Sequence, residues 1–199
     1  MIMKKGLLLI LAIVLGYAQC MAQDSEAESN WYISAQYSMS FPVGEFHDIY
    51  KDPDFKGFWL EGGYLFDDFV SVGLTAAFHQ FSKGNLEVRE TSIVVDDFNT
   101  LLIPILVKGN IQQVFGKFKP YLGIGGGGAF SKASKDVLSY GVSESTRFTF
   151  AFMGELGLNF QLVDGVDLNV AGKYEYYDVK VIENRLNYFS ANIGIRAKL

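Results

Sequence analysis

Apolar and polar residues alternate along most of the chain with a period of two, the repeat of a β-strand with one apolar and one polar face. In the segment 101–112 the alternate positions are mostly apolar, and the positions between them include Lys108, Asn110 and Gln112. The alternation lasts about ten residues, close to the ~9–11 that a tilted strand needs to cross a bilayer. A tight turn at 116–119 and a second strand from Pro120, with the run Gly125–Gly128, complete a hairpin that suits the curved wall of a small barrel.

The same pattern predicts about eight strands, joined by alternating long and short connections. Long connections on one side and tight turns on the other are typical of outer-membrane barrels with extracellular loops and periplasmic turns. A soluble sandwich is not expected to sort its connections in this way. We therefore predict an all-β, closed, antiparallel, up-and-down transmembrane β-barrel over residues 31–199, with both chain termini periplasmic. The predicted long loops are Phe41–Lys56, Ser82–Asn99, Ser131–Arg147 and Lys180–Leu186.

The N-terminal segment has the pattern of a cleaved signal peptide. Lys4 and Lys5 precede an apolar stretch, 6–18, that is too short for a membrane anchor, and Ala22 ends a small-residue cleavage site. We predict a signal peptide over 1–22 and a short polar lead-in over 23–30. Two alternatives stay open: a buried first helix, and a lipoprotein acylated at Cys20, where Gln19 stands in place of the small residue wanted.

Composition and motifs exclude several classes of function. The net charge of −5 and the lack of a basic patch argue against nucleic acid as a partner. Past the N-terminus, no run of about 18–20 apolar residues predicts a transmembrane helix. His47 and His79 have no Cys or His at the spacing of metal ligands, and no nucleophile elbow is present. We expect no metal, no cofactor and no enzymatic activity.

Four segments resemble the small eight-stranded outer-membrane β-barrel family, the OmpA/OmpX-type or "porin family" proteins. They are FPVGEF at 41–46, IPILVK at 103–108, PYLGIG at 120–125 and the final strand NIGIRAKL at 192–199. The resemblance implies a Gram-negative outer membrane, contact with its lipid and lipopolysaccharide, and biogenesis by the barrel-assembly machinery. It also implies an assembly signal in the last strand, which here ends on Leu199 rather than on an aromatic residue. The residues of that signal are Asn192, Gly194, Ala197 and Leu199.

Charged residues on the polar faces form the one notable constellation. An eight-stranded barrel encloses a lumen just wide enough for side chains to fill. Mixed charges in that space should pair, because an isolated buried charge costs several kcal/mol. Four of the charges lie about half-way along their strands, Glu175 lies slightly higher and Arg196 lies nearer the periplasmic mouth. The predicted lumen charge network is Glu61, Lys108, Glu155, Lys173, Glu175 and Arg196.

Three functions are compatible with this pattern. The first is a non-enzymatic outer-membrane protein with a plugged polar lumen, whose extracellular loops contribute to envelope integrity or surface interaction. The second is a passive channel for small solutes. The third is a soluble periplasmic lipocalin-like barrel that binds an apolar ligand, and it requires the apolar faces to point inward.

Overall fold

Eight antiparallel strands close into a single barrel. The structure, a computed structural model, describes residues 30–44, 46, 47, 50, 52–89, 92–137, 141–181 and 184–199. Each strand pairs with the next, and β8 pairs back with β1. The predicted fold class is therefore confirmed. The strands are β1 (Trp31–Pro42), β2 (Asp54–Leu65), β3 (Val70–Arg89), β4 (Ser92–Gln112), β5 (Phe118–Val137), β6 (Gly141–Val163), β7 (Val166–Val181) and β8 (Asn184–Lys198).

The period-two pattern sorts the side chains between the wall's two faces. Lys108 and Glu155 point inward and are 2% exposed, whereas their outward neighbours Val107 and Leu156 are 60% and 68% exposed. An apolar outer wall and a polar interior suit a barrel surrounded by lipid. The soluble lipocalin-like hypothesis required the reverse arrangement and is wrong. No helix in the part of the chain that the structure describes is long and apolar enough to cross a membrane.

Two predicted loops are largely strand. We expected the third strand to end at Phe81 and the fourth to begin near Leu101, but β3 continues to Arg89 and β4 begins at Ser92. Likewise β5 and β6 extend through most of 131–147. Apolar periodicity reports only the part of a strand that faces lipid, whereas the backbone ladder needs no apolar face to continue. Part of the connection predicted over 180–186 is also strand, because β7 ends at Val181 and β8 begins at Asn184.

The short turns end the strands by specific local bonds. Asp67 Oδ1 accepts hydrogen bonds from the backbone nitrogens of Phe69 and Val70, at 2.8 and 2.7 Å. Gly165, in the turn between β6 and β7, has φ of 76°, a conformation that favours glycine. The turn after β4 has Gly116 at φ 60°, and β5 then begins at Phe118, two residues before the predicted start.

The signal peptide over 1–22 and the lead-in before Asn30 lie outside the described residues.

Two tyrosine side chains lie against glycines of the neighbouring strand. A Cβ at Gly63 would lie 2.5 Å from the ring of Tyr32, and a Cβ at Gly157 would lie 2.5 Å from the ring of Tyr121. Neither contact leaves room for a side chain, so each glycine is required by the tyrosine beside it. The pairs occupy β1–β2 and β5–β6, on opposite sides of the barrel.

Gly157→Val should lower the free energy of unfolding by about 1–3 kcal/mol, because the new side chain overlaps the ring of Tyr121. Gly154→Val is the matched control: it lies on the same strand and faces outward, and a Cβ at this position would have no neighbouring atom within 4 Å. We expect it to change stability by less than about 0.5 kcal/mol. Urea unfolding of both refolded variants in lipid vesicles measures the difference, and equal losses would contradict the Tyr121 contact.

Candidate functional site: the barrel lumen

A triad of charges spans the middle of the lumen. The Lys108 ammonium on β4 donates a hydrogen bond to Glu155 Oε2 on β6 at 2.9 Å, and another to Glu61 Oε2 on β2. All three residues are buried. One cation thereby links two carboxylates from strands that are not neighbours, so the triad braces the barrel from inside.

Tyrosine hydroxyls occupy the remaining oxygens of both carboxylates. Tyr32 donates to Glu61 Oε1 at 2.7 Å, and Tyr121 donates to Glu155 Oε1 at 2.5 Å. The Asn169 side-chain amide in turn donates a hydrogen bond to the Tyr121 hydroxyl at 2.9 Å. Each glutamate therefore has a partner on each of its two oxygens, which offsets much of the cost of removing it from water.

The other three predicted lumen charges lie inside the barrel without joining the triad. Glu175 accepts hydrogen bonds from three hydroxyls, those of Tyr177, Tyr188 and Ser190, at 2.7, 2.5 and 3.0 Å. The Lys173 ammonium lies 4.0 Å from the centroid of the Trp59 ring, a cation–π contact, and has no hydrogen-bond partner among the described residues.

Arg196 likewise rests on an aromatic ring. Its guanidinium carbon is 3.7 Å from the centroid of the Tyr32 ring, and one of its nitrogens, Nη2, has no hydrogen-bond partner among the described residues. The structure thus brings Glu61, Lys108 and Glu155 together and leaves Lys173, Glu175 and Arg196 on hydroxyl and aromatic partners.

An aromatic cap, which the sequence analysis missed, lies inside the barrel at the end where the β3–β4 and β5–β6 hairpins extend. Phe46 and Tyr50, from the connection between β1 and β2, are 1% and 3% exposed, and the Phe46 ring packs edge-on against Phe81 at 5.0 Å. The Tyr50 and Thr100 hydroxyls are hydrogen-bonded at 2.7 Å. Burial raises the pKa of the Tyr50 hydroxyl above its ordinary value, so it stays protonated at neutral pH. The aromatic residues Phe46 and Tyr50 within the loop predicted over Phe41–Lys56 were the sequence feature that could have indicated this cap.

A serine, a histidine and an aspartate meet beneath the cap, but they do not form a catalytic relay. Ser40 Oγ lies 3.1 Å and Asp54 Oδ2 4.0 Å from the same ring nitrogen of His79, Nδ1. A nucleophile relay needs the serine and the acid on opposite nitrogens of the imidazole. Across the described residues, no group of three or more His, Cys, Asp or Glu side chains is placed to hold a metal ion.

The residues of the predicted assembly signal lie at the seam where the barrel closes. Asn192 points inward, and a Cβ at Gly194 would lie 2.0 Å from the carbonyl oxygen of Ala35. Ala197 is buried opposite Ile33, and the Leu199 nitrogen donates to the Trp31 carbonyl at 2.9 Å. Recognition of these residues by an assembly machinery stays a prediction.

The closed wall, its apolar exterior and its polar interior define a transmembrane β-barrel of the outer-membrane class. The family model for the outer membrane protein beta-barrel domain matches residues 9–198. The chain belongs to that family and is an outer-membrane protein. Among curated proteins, none matches the chain significantly.

Solved structures share the fold at low sequence identity. Neisserial surface protein A is 16% identical with a TM-score of 0.57, over 86% of this chain and 98% of that one. OprG from Pseudomonas aeruginosa is 18% identical with a TM-score of 0.53, over 86% and 97%. The attachment invasion locus protein Ail of Yersinia pestis, in complex with the heparin analogue sucrose octasulfate, is 18% identical with a TM-score of 0.50, over 84% and 97%.

Lys108→Met should lower the free energy of unfolding by about 3–5 kcal/mol, because it leaves two buried carboxylates without their cation. Lys119→Met is the matched control, since Lys119 pairs with Asp167 at 3.0 Å near the barrel mouth, where its side chain is 22% exposed. It should cost about 1 kcal/mol or less. Urea unfolding in lipid vesicles compares the two.

A triple variant tests the triad further in the same unfolding experiment. Adding Glu61→Gln and Glu155→Gln to Lys108→Met should recover much of the lost stability, because the amides carry no charge. If the triple variant is no more stable than Lys108→Met alone, the triad does not stabilise the barrel in the way its contacts indicate.

Proposed function

We propose that this chain is a non-enzymatic outer-membrane barrel with a closed, non-conducting lumen, which acts through the hairpins it displays at the cell surface. Its role is in envelope integrity or surface interaction. The observation that carries the proposal is that two groups of buried side chains contact one another inside the barrel, at two levels. The Lys108 triad lies at the middle of the barrel, and the cap of Phe46, Tyr50 and Phe81 lies near the β3–β4 and β5–β6 hairpins.

The proposed orientation places the short turns and both termini in the periplasm. The long β3–β4 and β5–β6 hairpins then extend outside the cell, where their length serves contact with lipopolysaccharide or another surface molecule. Folding into the membrane would use the barrel-assembly machinery. The heparin analogue in the Ail structure is a polyanion, and the net charge of −5 on this chain opposes a ligand of that kind.

A passive channel is the competing function, and one observation favours it. The Lys173 ammonium is buried without a hydrogen-bond partner among the described residues, and its strand neighbour across the β6–β7 ladder is Glu155 of the triad. A cation in that position could serve a path for solutes if the triad opened. Conductance decides between the two functions.

In planar bilayers the purified barrel should show no step conductance, because the triad and the cap both obstruct the lumen. Glu61→Gln and Lys108→Met are measured beside it. Step conductance in the unmodified protein that changes in either variant would establish the channel and overturn the closed-lumen proposal. A barrel of known conductance, inserted under the same conditions, controls for failed incorporation.

Shortening the β3–β4 hairpin should abolish its surface role without unfolding the barrel. Ser82 and Asn99 face each other in the ladder, so a two-residue Asn-Gly turn can join them directly. The same operation at Ser131 and Arg147 shortens the β5–β6 hairpin. A mobility difference between boiled and unboiled samples in detergent gels verifies that each variant folds.

Cells that carry either shortened barrel are compared with cells that carry the full one for bile-salt resistance and for adhesion to surfaces. A loss in at least one variant is expected. Unchanged resistance and adhesion in both, with both barrels folded in the outer membrane, would contradict a role for these hairpins.

A further inference from the structure

A polar recess opens at the end of the barrel where the short turns and both chain ends lie. Its volume is about 300 Å³, within the range of small ligand sites. Acidic and basic side chains line it in equal number. They are Asp68, Asp164, Asp167, Lys119, Arg196 and Lys198.

Arg196 is the group in this recess that points to a ligand. It is 8% exposed, its guanidinium rests on the Tyr32 ring, and Nη2 has no hydrogen-bond partner among the described residues. Lys119, in contrast, already pairs with Asp167. A buried guanidinium nitrogen without a partner favours a carboxylate, because an ionised acceptor forms a strong, charge-assisted hydrogen bond with it.

The chain carries carboxylates next to this recess. The segment 24–29 reads DSEAES, so Asp24, Glu26 and Glu28 occupy alternate positions and share one face when the segment is extended. It enters β1 through Asn30, whose carbonyl accepts a hydrogen bond from the nitrogen of Leu65 at 2.8 Å. Leu65 itself lines the recess. The expected signal-peptide cleavage after Ala22 leaves this segment on the mature chain.

The segment is also long enough to reach Arg196. From Asn30 back to Asp24 it spans about 20 Å when extended. Eight tilted strands at the usual spacing enclose a barrel about 16 Å across. Tethering raises the effective concentration of its carboxylates to the order of mM, so a weak contact suffices to hold them.

We propose that the recess is a carboxylate-binding site centred on Arg196, and that its occupant is the acidic segment 24–29 of the same chain. The equal number of acids and bases in the lining disfavours a multiply charged anion such as phosphate. Single carboxylates separated by neutral residues meet less repulsion from the three aspartates.

The test places a spin label at the start of the segment. The predicted mature chain has no cysteine, so Gln23→Cys provides a single attachment site. In detergent micelles, the backbone amide signals of Gly165 and Lys198 should broaden, because these residues line the recess. Amides in the distant β3–β4 hairpin should not broaden.

Two charge variants decide whether the contact is the proposed one. Asp24→Asn with Glu26→Gln and Glu28→Gln, or Arg196→Gln alone, should abolish the broadening. Ser25→Gln with Ser29→Gln is the neutral control and should preserve it, as should Arg196→Lys at low salt. A mobility difference between boiled and unboiled samples shows that each barrel is folded.

Broadening that survives both charge variants would overturn the proposal, since the segment would then lie there for another reason. Absence of broadening in the unmodified sequence would overturn it as well. In that case, titration of a chain lacking 23–29 with acetate, followed through the Arg196 side-chain signal, tells whether an external carboxylate uses the recess instead.

Discussion

A strand in hydrocarbon has no water to satisfy its backbone N–H and C=O groups, and this constraint governs the rest of the structure. The ladder between β1 and β8 meets it by pairing the first strand with the last, from Tyr32 with Lys198 to Pro42 with Tyr188. Closure forces every side chain to face either lipid or lumen. Because the lipid accepts only apolar groups, all buried polarity of the spanning wall collects in a space barely wide enough to hold it.

The side chains inside the barrel differ along its length. In the middle, Lys108 stands between Glu61 and Glu155, and each carboxylate has a tyrosine hydroxyl on its other oxygen. Towards the long hairpins, the buried side chains are mainly aromatic. A buried ion triad stabilises less than its contacts suggest, because desolvation offsets most of the attraction. The triad links strands that are not paired in the ladder, and the aromatic cap buries its rings at little electrostatic cost.

The two mouths of the barrel differ in chemistry, and the proposals follow from that difference. One mouth holds the buried side chains of Phe46 and Tyr50, which come from the connection between β1 and β2. The other holds a polar recess with an incompletely bonded guanidinium, that of Arg196, next to the point where the chain enters the wall. In the proposed role, surface function rests on the β3–β4 and β5–β6 hairpins.

Sequence alone was sufficient for the architecture, because alternation of apolar and polar residues is itself the physical requirement of a wall between lipid and lumen. The strand count and the inward direction of Glu61 and Lys108 followed from it. The extent of β3 to Arg89 did not, because apolar periodicity ends where the lipid ends while the backbone ladder continues. Nor did the partners in the lumen: which carboxylates Lys108 reaches, and that Lys173 rests on Trp59 instead, depend on register, tilt and the ring positions across the barrel. Those distances exist only once eight strands have closed.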